Sequence, residues 1–377
     1  MLTHDIIELQ TEHQVIKPLR RIILSNTNYQ NNNTYSPSSS PNNSVHPNND
    51  NNNDTDIIPG IYEGGLKVWE CSIDLCYYLA EQLNHIYNNN NVHENNGIEQ
   101  ALSMNGSTLE LGCGHGLPGC LILRELMKKE RRQQRNRQRR IVDENDSNNS
   151  TSISRSAATT TTKNAFANNN SPIVIFTDYN ESVLYDATIP NILLNNAHDY
   201  DAERGDDEEE HAIESDDDTL ESIVGLVAGD WIDLSRKLSS THSKKSLLSE
   251  SSSSSSMLFD RFPSDDIVIG DDHEIIKQSS PVIPSNGRFN LILAAETTYT
   301  TQAAIDTATF LSKHLKNQGD GGMGLVATKR YYFGVGGGVD AFQEACDKIK
   351  GLNVESIRQY DSGNGNIREL LRVVLVA

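Results

Sequence analysis

Two periods of apolar and polar positions alternate along this chain, and the changes from one to the other mark out its elements. Glu70 to Leu83 sets Ile73, Leu75, Cys76, Leu79 and Leu83 at helical spacing. Ser107 to Leu111 is a short strand ending in Gly112, and Leu117 to Met127 follows as an apolar helical face with Pro118 near its start. Ile173-Val174-Ile175-Phe176 is continuously apolar, as a strand buried on both faces of a parallel sheet requires. Glu181 to Leu194 is the next helix, expected to bend at Pro190. Further strands are expected at Ile223 to Ala228, Phe289 to Ala294 and Gly324 to Ala327, with helices at Ala303 to Leu315 and Val339 to Ile349. Two last strands, Asn353 to Tyr360 and Glu369 to Val376, are joined as a hairpin through Asp361 to Gly365. Before Asp56 only Ile6 to Leu24 has a pattern, that of a short strand or helix. The alternation predicts an α/β fold: a doubly wound, Rossmann-like, seven-stranded mixed sheet with an antiparallel C-terminal strand.

Composition changes the domain count. A chain of 377 residues suggests two or three domains, but only 36% of the residues are hydrophobic. The tracts Asn28 to Asn53, Asn145 to Asn170 and Ser239 to Ser256 are dominated by Asn, Ser, Thr and Pro, which bury too little apolar surface to offset ordering entropy. The expected organisation is a mostly disordered region over 1–55 and one domain over 56–377. Low-complexity insertions interrupt that domain near 128–171, 199–221 and 235–286.

The formal net charge of −20 is segregated along the chain. Asp199 to Glu221 holds thirteen acidic residues and one Arg, whereas Lys128 to Arg140 holds eight basic residues and Glu130. Both blocks are expected to be solvated insertions. The basic one is also a candidate for nuclear import or RNA contact, which would put nucleic acid nearby. Five cysteines without a C-x-x-C pair fit a reducing compartment better than a disulfide framework. No basic-then-apolar leader and no apolar run of about 20 residues stands out, so a soluble, monomeric, cytoplasmic and nuclear protein without membrane association is expected.

Three strand ends carry candidate ligand chemistry. Glu110-Leu111-Gly112-Cys113-Gly114-His115-Gly116 follows a strand and opens a helix, with glycines that permit a tight turn and close backbone approach. Leu117 stands where a pyrophosphate fingerprint needs its third glycine, which favours a nucleoside ligand over a dinucleotide. Asp178 ends the second strand, where a carboxylate can accept from both ribose hydroxyls or cap the next helix. Gly229-Asp230-Trp231 ends the third, offering a carboxylate to an adenine amine and an indole as an apolar wall, or simply a turn. Together they describe one adenosyl crevice. His115 lies between two glycines of the loop, where backbone geometry dominates, and is not assigned a catalytic role. No Cys/His cluster has metal-ligand spacing, so no metal is expected.

Longer motifs then make a family resemblance specific. Pro59-Gly60-Ile61-Tyr62-Glu63-Gly64-Gly65-Leu66-Lys67-Val68-Trp69-Glu70-Cys71, Phe176-Thr177-Asp178-Tyr179-Asn180 and Tyr332-Phe333-Gly334-Val335-Gly336-Gly337-Gly338-Val339 resemble segments of the protein-histidine methyltransferases (methyltransferase-like protein eighteen and its fungal counterpart). Ala295-Glu296-Thr297-Thr298-Tyr299 is similar to that family's Ser-Glu-Thr-x-Tyr. The resemblance covers residues 56 to 377 with the insertions skipped. It implies a seven-strand fold, S-adenosyl-L-methionine as donor, and a protein substrate, one histidine of a large-subunit ribosomal protein. The implied cofactor set is Val68, Trp69, Glu70, Cys71, Ser72, Glu110, Gly112, Gly114, Asp178, Tyr179, Asn180, Gly229, Asp230, Trp231 and Ala295. Ala295 departs from the family's Ser, so any hydroxyl contact there is lost. Glu296 and Tyr299 are candidates to orient the acceptor ring, and the Tyr332 to Gly338 loop to shape the substrate entrance. Lysine methylation on the same fold, a non-catalytic ribosome-assembly factor and RNA methylation are the competing readings.

Overall fold

The computed structural model describes residues 3–10, 15–23, 64–87, 96–147, 172–197, 220, 223–240, 283–284, 286–363 and 366–376. Each apolar run forms the element its period requires. The strands are β1 (Thr3–Gln10), β2 (Val15–Ile23), β3 (Ser107–Leu111), β4 (Ile173–Asp178), β5 (Val224–Ala228), β6 (Leu291–Ala295), β7 (Met323–Lys329), β8 (Leu352–Asp361) and β9 (Ile367–Leu375). The helices are α1 (Glu70–Tyr87), α2 (Asn96–Ala101), α3 (Leu117–Ser147), α4 (Glu181–Val183), α5 (Ile189–Ala197), α6 (Trp231–Ser240), α7 (Thr301–His314) and α8 (Val339–Asp347).

The main sheet has seven strands in the order β5-β4-β3-β6-β7-β9-β8. Pairing is parallel from β5 to β7 and antiparallel for β7 with β9 and β9 with β8. The chain winds outward from β3 through β4 to β5, then returns to β6 on the other side of β3. That reversal makes the carboxyl ends of β3 and β6 the switch point, where open α/β sheets bind ligands.

Two cores cover the two faces, and strand alternation divides them. Val174 and Phe176 of β4 join Leu75 and Leu79 of α1 and Leu121 of α3 on one face. Ile173 and Ile175 join Leu234 of α6, Leu311 of α7 and Phe342 of α8 on the other. These side chains are almost fully buried, each worth roughly 1.5–3 kcal/mol of transfer free energy. No helix among the described residues is long and apolar enough to cross a membrane.

The structure departs from the sequence pattern at several places. The segment Ile6 to Leu24 holds not one element but two antiparallel strands, β1 and β2. The basic run Lys128 to Arg140 is not an insertion after the helix: α3 continues through it to Ser147. Arg, Lys and Gln are good helix formers, so loss of the apolar face does not stop the helix. The segment expected to bend at Pro190 instead carries a π-helical turn over Leu184–Thr188, just before the proline. Proline lacks an N–H and crowds the preceding turn, and the wider turn relieves both. Helices α2 and α6 have no counterpart in the sequence reading. The first is six residues opening on Asn-Gly, and the second runs into a serine tract at Ser239. Most of the N-terminal region and of the three proposed insertions lies outside the described residues.

Candidate functional site

Gly112, just after β3, has φ +62, a conformation that L side chains rarely adopt. A Cβ there would also meet the Thr297 and Trp231 side chains at 3.2 and 3.3 Å. Two residues on, the Gly114 amide donates to Oδ2 of Asp178 at 2.9 Å, and Asn180 N donates to Oδ1 at 3.1 Å. Gly229 N donates to the Asp178 carbonyl at 2.9 Å, so the ends of β3, β4 and β5 are tied through one residue. At the next strand end Oδ1 of Asp230 accepts from Ile232 N at 2.7 Å and Asp233 N at 3.3 Å, capping α6.

The segment 64–69 folds over this turn. Gly65 packs so closely on Asp178 that a Cβ would stand 3.2 Å from Oδ2, and the Trp69 indole N–H donates to Gly64 O at 3.1 Å. His115 fastens the segment. Asn191 Nδ2 donates to the His115 carbonyl at 3.1 Å and lies 3.2 Å from Nδ1. That network assigns the proton to Nε2, which donates to Leu66 O at 2.9 Å. Both ring nitrogens are therefore structural.

These pieces enclose a cavity of about 240 Å³ at the switch point. Among the residues singled out in sequence, Val68, Trp69, Ser72, Gly112, Gly114, Asp178, Tyr179, Asp230, Trp231 and Ala295 line it, with Glu296 and Tyr299. Five others stand off the wall. Glu110 turns by strand alternation onto the α3 face, where Oε2 accepts from Gly119 N at 2.8 Å. Burial pushes its carboxyl up to about 8, the Gly119 N–H opposes the rise, and Asp178 adds to it. Cys71 is fully buried in the core beneath α1, and burial, with Glu296 nearby, raises its thiol well above the ordinary range. Glu70 turns to Asn366, whose Nδ2 donates to Oε2 at 3.2 Å. Asn180 and Gly229 contribute the backbone amides already described.

Sequence reasoning missed Lys67, Thr297, Thr300, Gln302 and Asp306 on the wall. The last three arrive because Thr300 caps α7, accepting from Ala303 N at 3.0 Å and turning its first turn to the cavity. A Thr before an apolar helix was the available signal. Lys329 and Tyr332, just behind the wall, were also missed as a pair. The Tyr332 hydroxyl donates to Oε2 of Glu296, and Lys329 Nζ lies 3.6 Å from Oε1. Lys329 is also 5.1 Å from the centroid of the Trp69 ring.

No protein-family model matches the chain. It is similar to histidine protein methyltransferase 1 homologues. The relative from Dictyostelium discoideum is 26% identical over 322 residues, 85% of this chain and 60% of that protein. That from Schizosaccharomyces pombe is 25% identical over 294 residues, 78% and 60%, and that from Bos taurus 24% over 318 residues, 82% and 55%. The chain thus spans little more than half the length of these relatives. Among solved structures, the O-methyltransferase TomG of Streptomyces achromogenes aligns at TM-score 0.35 and 8% identity, covering 83% of this chain and 92% of its own. An O-methyltransferase of Bacillus cereus aligns at 0.33 and 10%, covering 82% and 92%.

Proposed function

We propose that this chain is an S-adenosylmethionine-dependent protein-histidine N-methyltransferase whose acceptor is a histidine of a large-subunit ribosomal protein. The observation that carries the reading is the single cavity into which the ends of β3, β4, β5 and β6 all deliver side chains. The names of the relatives support the acceptor class.

The residues fit an adenosyl donor. Asp178 brings to the wall a carboxylate able to accept from ribose hydroxyls while its backbone partners hold it still. Trp231 Nε1 is buried without a hydrogen-bond partner, a cost of about 1–3 kcal/mol that a ligand acceptor would relieve. Gly112 leaves open a cradle that a Cβ would fill. When bound, the donor supplies a methyl group activated on a sulfonium. The chain's own task is then alignment. A neutral imidazole, of reference pKa about 6.5, is already nucleophilic at neutral pH and needs orientation rather than a strong base.

The same reading takes residues 56–377 as one catalytic domain with insertions and the protein as a monomer. It places the basic part of α3 close to ribosomal RNA, in cytoplasm and nucleus, on the strength of its charge. The test is incubation with methyl-labelled donor and large-subunit ribosomal proteins, followed by mass spectrometry of the labelled residue. Methylhistidine is expected. Methyllysine would transfer the assignment to a lysine methyltransferase, and label confined to RNA would overturn a protein acceptor.

A further inference from the structure

Glu296 is the only non-glycine residue at positive φ among the described residues, at +57. A carboxylate side chain held in that strained region, immediately after β6, calls for a use. The residue is 8% exposed and lines the cavity, yet its Oε1 has no hydrogen-bond partner. Its other oxygen is occupied by the Tyr332 hydroxyl. Tyr332 is itself set in place by Thr328, whose hydroxyl donates to it at 3.3 Å, at the start of a loop turned by Gly334 and Gly336. Lys329 stands 3.6 Å from Oε1, outside hydrogen-bond range, and 3.9 Å from Oε2 of Glu70, which shares its charge. Cys71 is a further titratable neighbour, its thiol kept protonated by burial and by the charge and hydrogen bonding of Glu296. A buried carboxylate oxygen left without a donor is costly, and here it belongs to a residue of the cavity wall.

Resting on the histidine reading above, we propose that Oε1 of Glu296 accepts the N–H of the acceptor imidazole, with Tyr332 and Lys329 as positioning residues, and so decides which ring nitrogen is methylated. Holding one nitrogen as N–H leaves the other with its lone pair in the ring plane, turned away from Glu296. As the new C–N bond forms from that lone pair, the C–S bond of the donor breaks and its electron pair stays on sulfur. The ring becomes an imidazolium whose N–H faces a carboxylate. That proton then passes to Glu296 and on to solvent, leaving neutral methylhistidine. A neutral amide at 296 lacks the charge and can donate as well as accept, so it no longer holds the ring in one orientation, and a ring turned over offers its other nitrogen to the methyl group.

The experiment uses the full chain, methyl-labelled S-adenosylmethionine and total large-subunit ribosomal proteins, with the two N-methylhistidine isomers separated after hydrolysis. Wild type is expected to give one isomer. Glu296→Gln is expected to keep donor affinity within about twofold, lose about 10²-fold or more in kcat, and release a measurable share of the second isomer. Tyr332→Phe, which keeps the ring, is expected to lower kcat about tenfold with the donor KM unchanged and to raise the share of the second isomer. A single isomer at wild-type kcat from either variant overturns the inference, as does a mixture from wild type. Should Glu296→Gln fail to bind donor, Tyr332→Phe decides alone. Methyllysine from wild type would instead overturn the histidine reading beneath it.

Discussion

The amide of Gly114 donates to Oδ2 of Asp178 across 2.9 Å, joining the glycine turn after β3 to the last residue of β4. The same carboxylate accepts from Asn180 N through Oδ1. The wall residue proposed to meet ribose hydroxyls is thus a strut between two loops. An aspartate here is held by backbone N–H groups before any ligand arrives, so little ordering is left to the binding step.

It follows that Asp178→Ala should act twice. Donor affinity is expected to fall by about 1–3 kcal/mol, from polar groups left unpaired, and the melting temperature should fall with it. Calorimetry measures the first and thermal unfolding the second. Donor affinity equal to wild type would remove Asp178 from the ribose position.

Gly112→Ala should separate space from stability. Its Cβ would meet Thr297 and Trp231 and force a left-handed alanine, at roughly 1–2 kcal/mol. We expect donor affinity to drop at least tenfold while the far-UV spectrum is retained. Unchanged affinity would show that the ligand does not approach this turn.

Glu110 carries a pH dependence. Its carboxyl is raised from an ordinary 4.5 to about 8 by burial, so between those values the folded chain binds the extra proton. The stability it contributes is fully present below about 4.5 and is lost as pH rises through about 8. Glu110→Gln should flatten the decline of melting temperature across that window, where each kcal/mol is worth about 2–4 °C. An equally steep decline in the variant would sink the assignment.

The acceptor should show in the pH profile of single-turnover methylation with donor saturating. Rate is expected to fall below roughly pH 6.5, where free imidazole gains a proton, and to level off above about pH 7.5. A rate still climbing toward pH 9 would point to an amine acceptor.

The elements of the sheet were legible from periodicity alone, because strands buried on both faces must be apolar throughout and their helices amphipathic. The gathering of Gly112, Asp178 and Asp230-Trp231 around one cavity was legible too, since loops after adjacent parallel strands converge at the switch point of this topology. Two things local sequence left undetermined. One was the length of α3, which propensity extends through residues with no apolar face. The other was which neighbours each carboxylate meets. Glu110 and Asp178 both lie near the ends of adjacent strands, and alternation with loop geometry sends one to the core and the other to the cavity. Glu296 lies more than thirty residues of chain from Lys329 and Tyr332. They meet because the parallel register of β6 and β7 sets Ala295 beside Ala327. Periodicity encodes which face of an element is buried. Register and side-chain contact are settled only when whole strands pair, so the carboxylate cluster behind the cavity belongs to the tertiary structure alone.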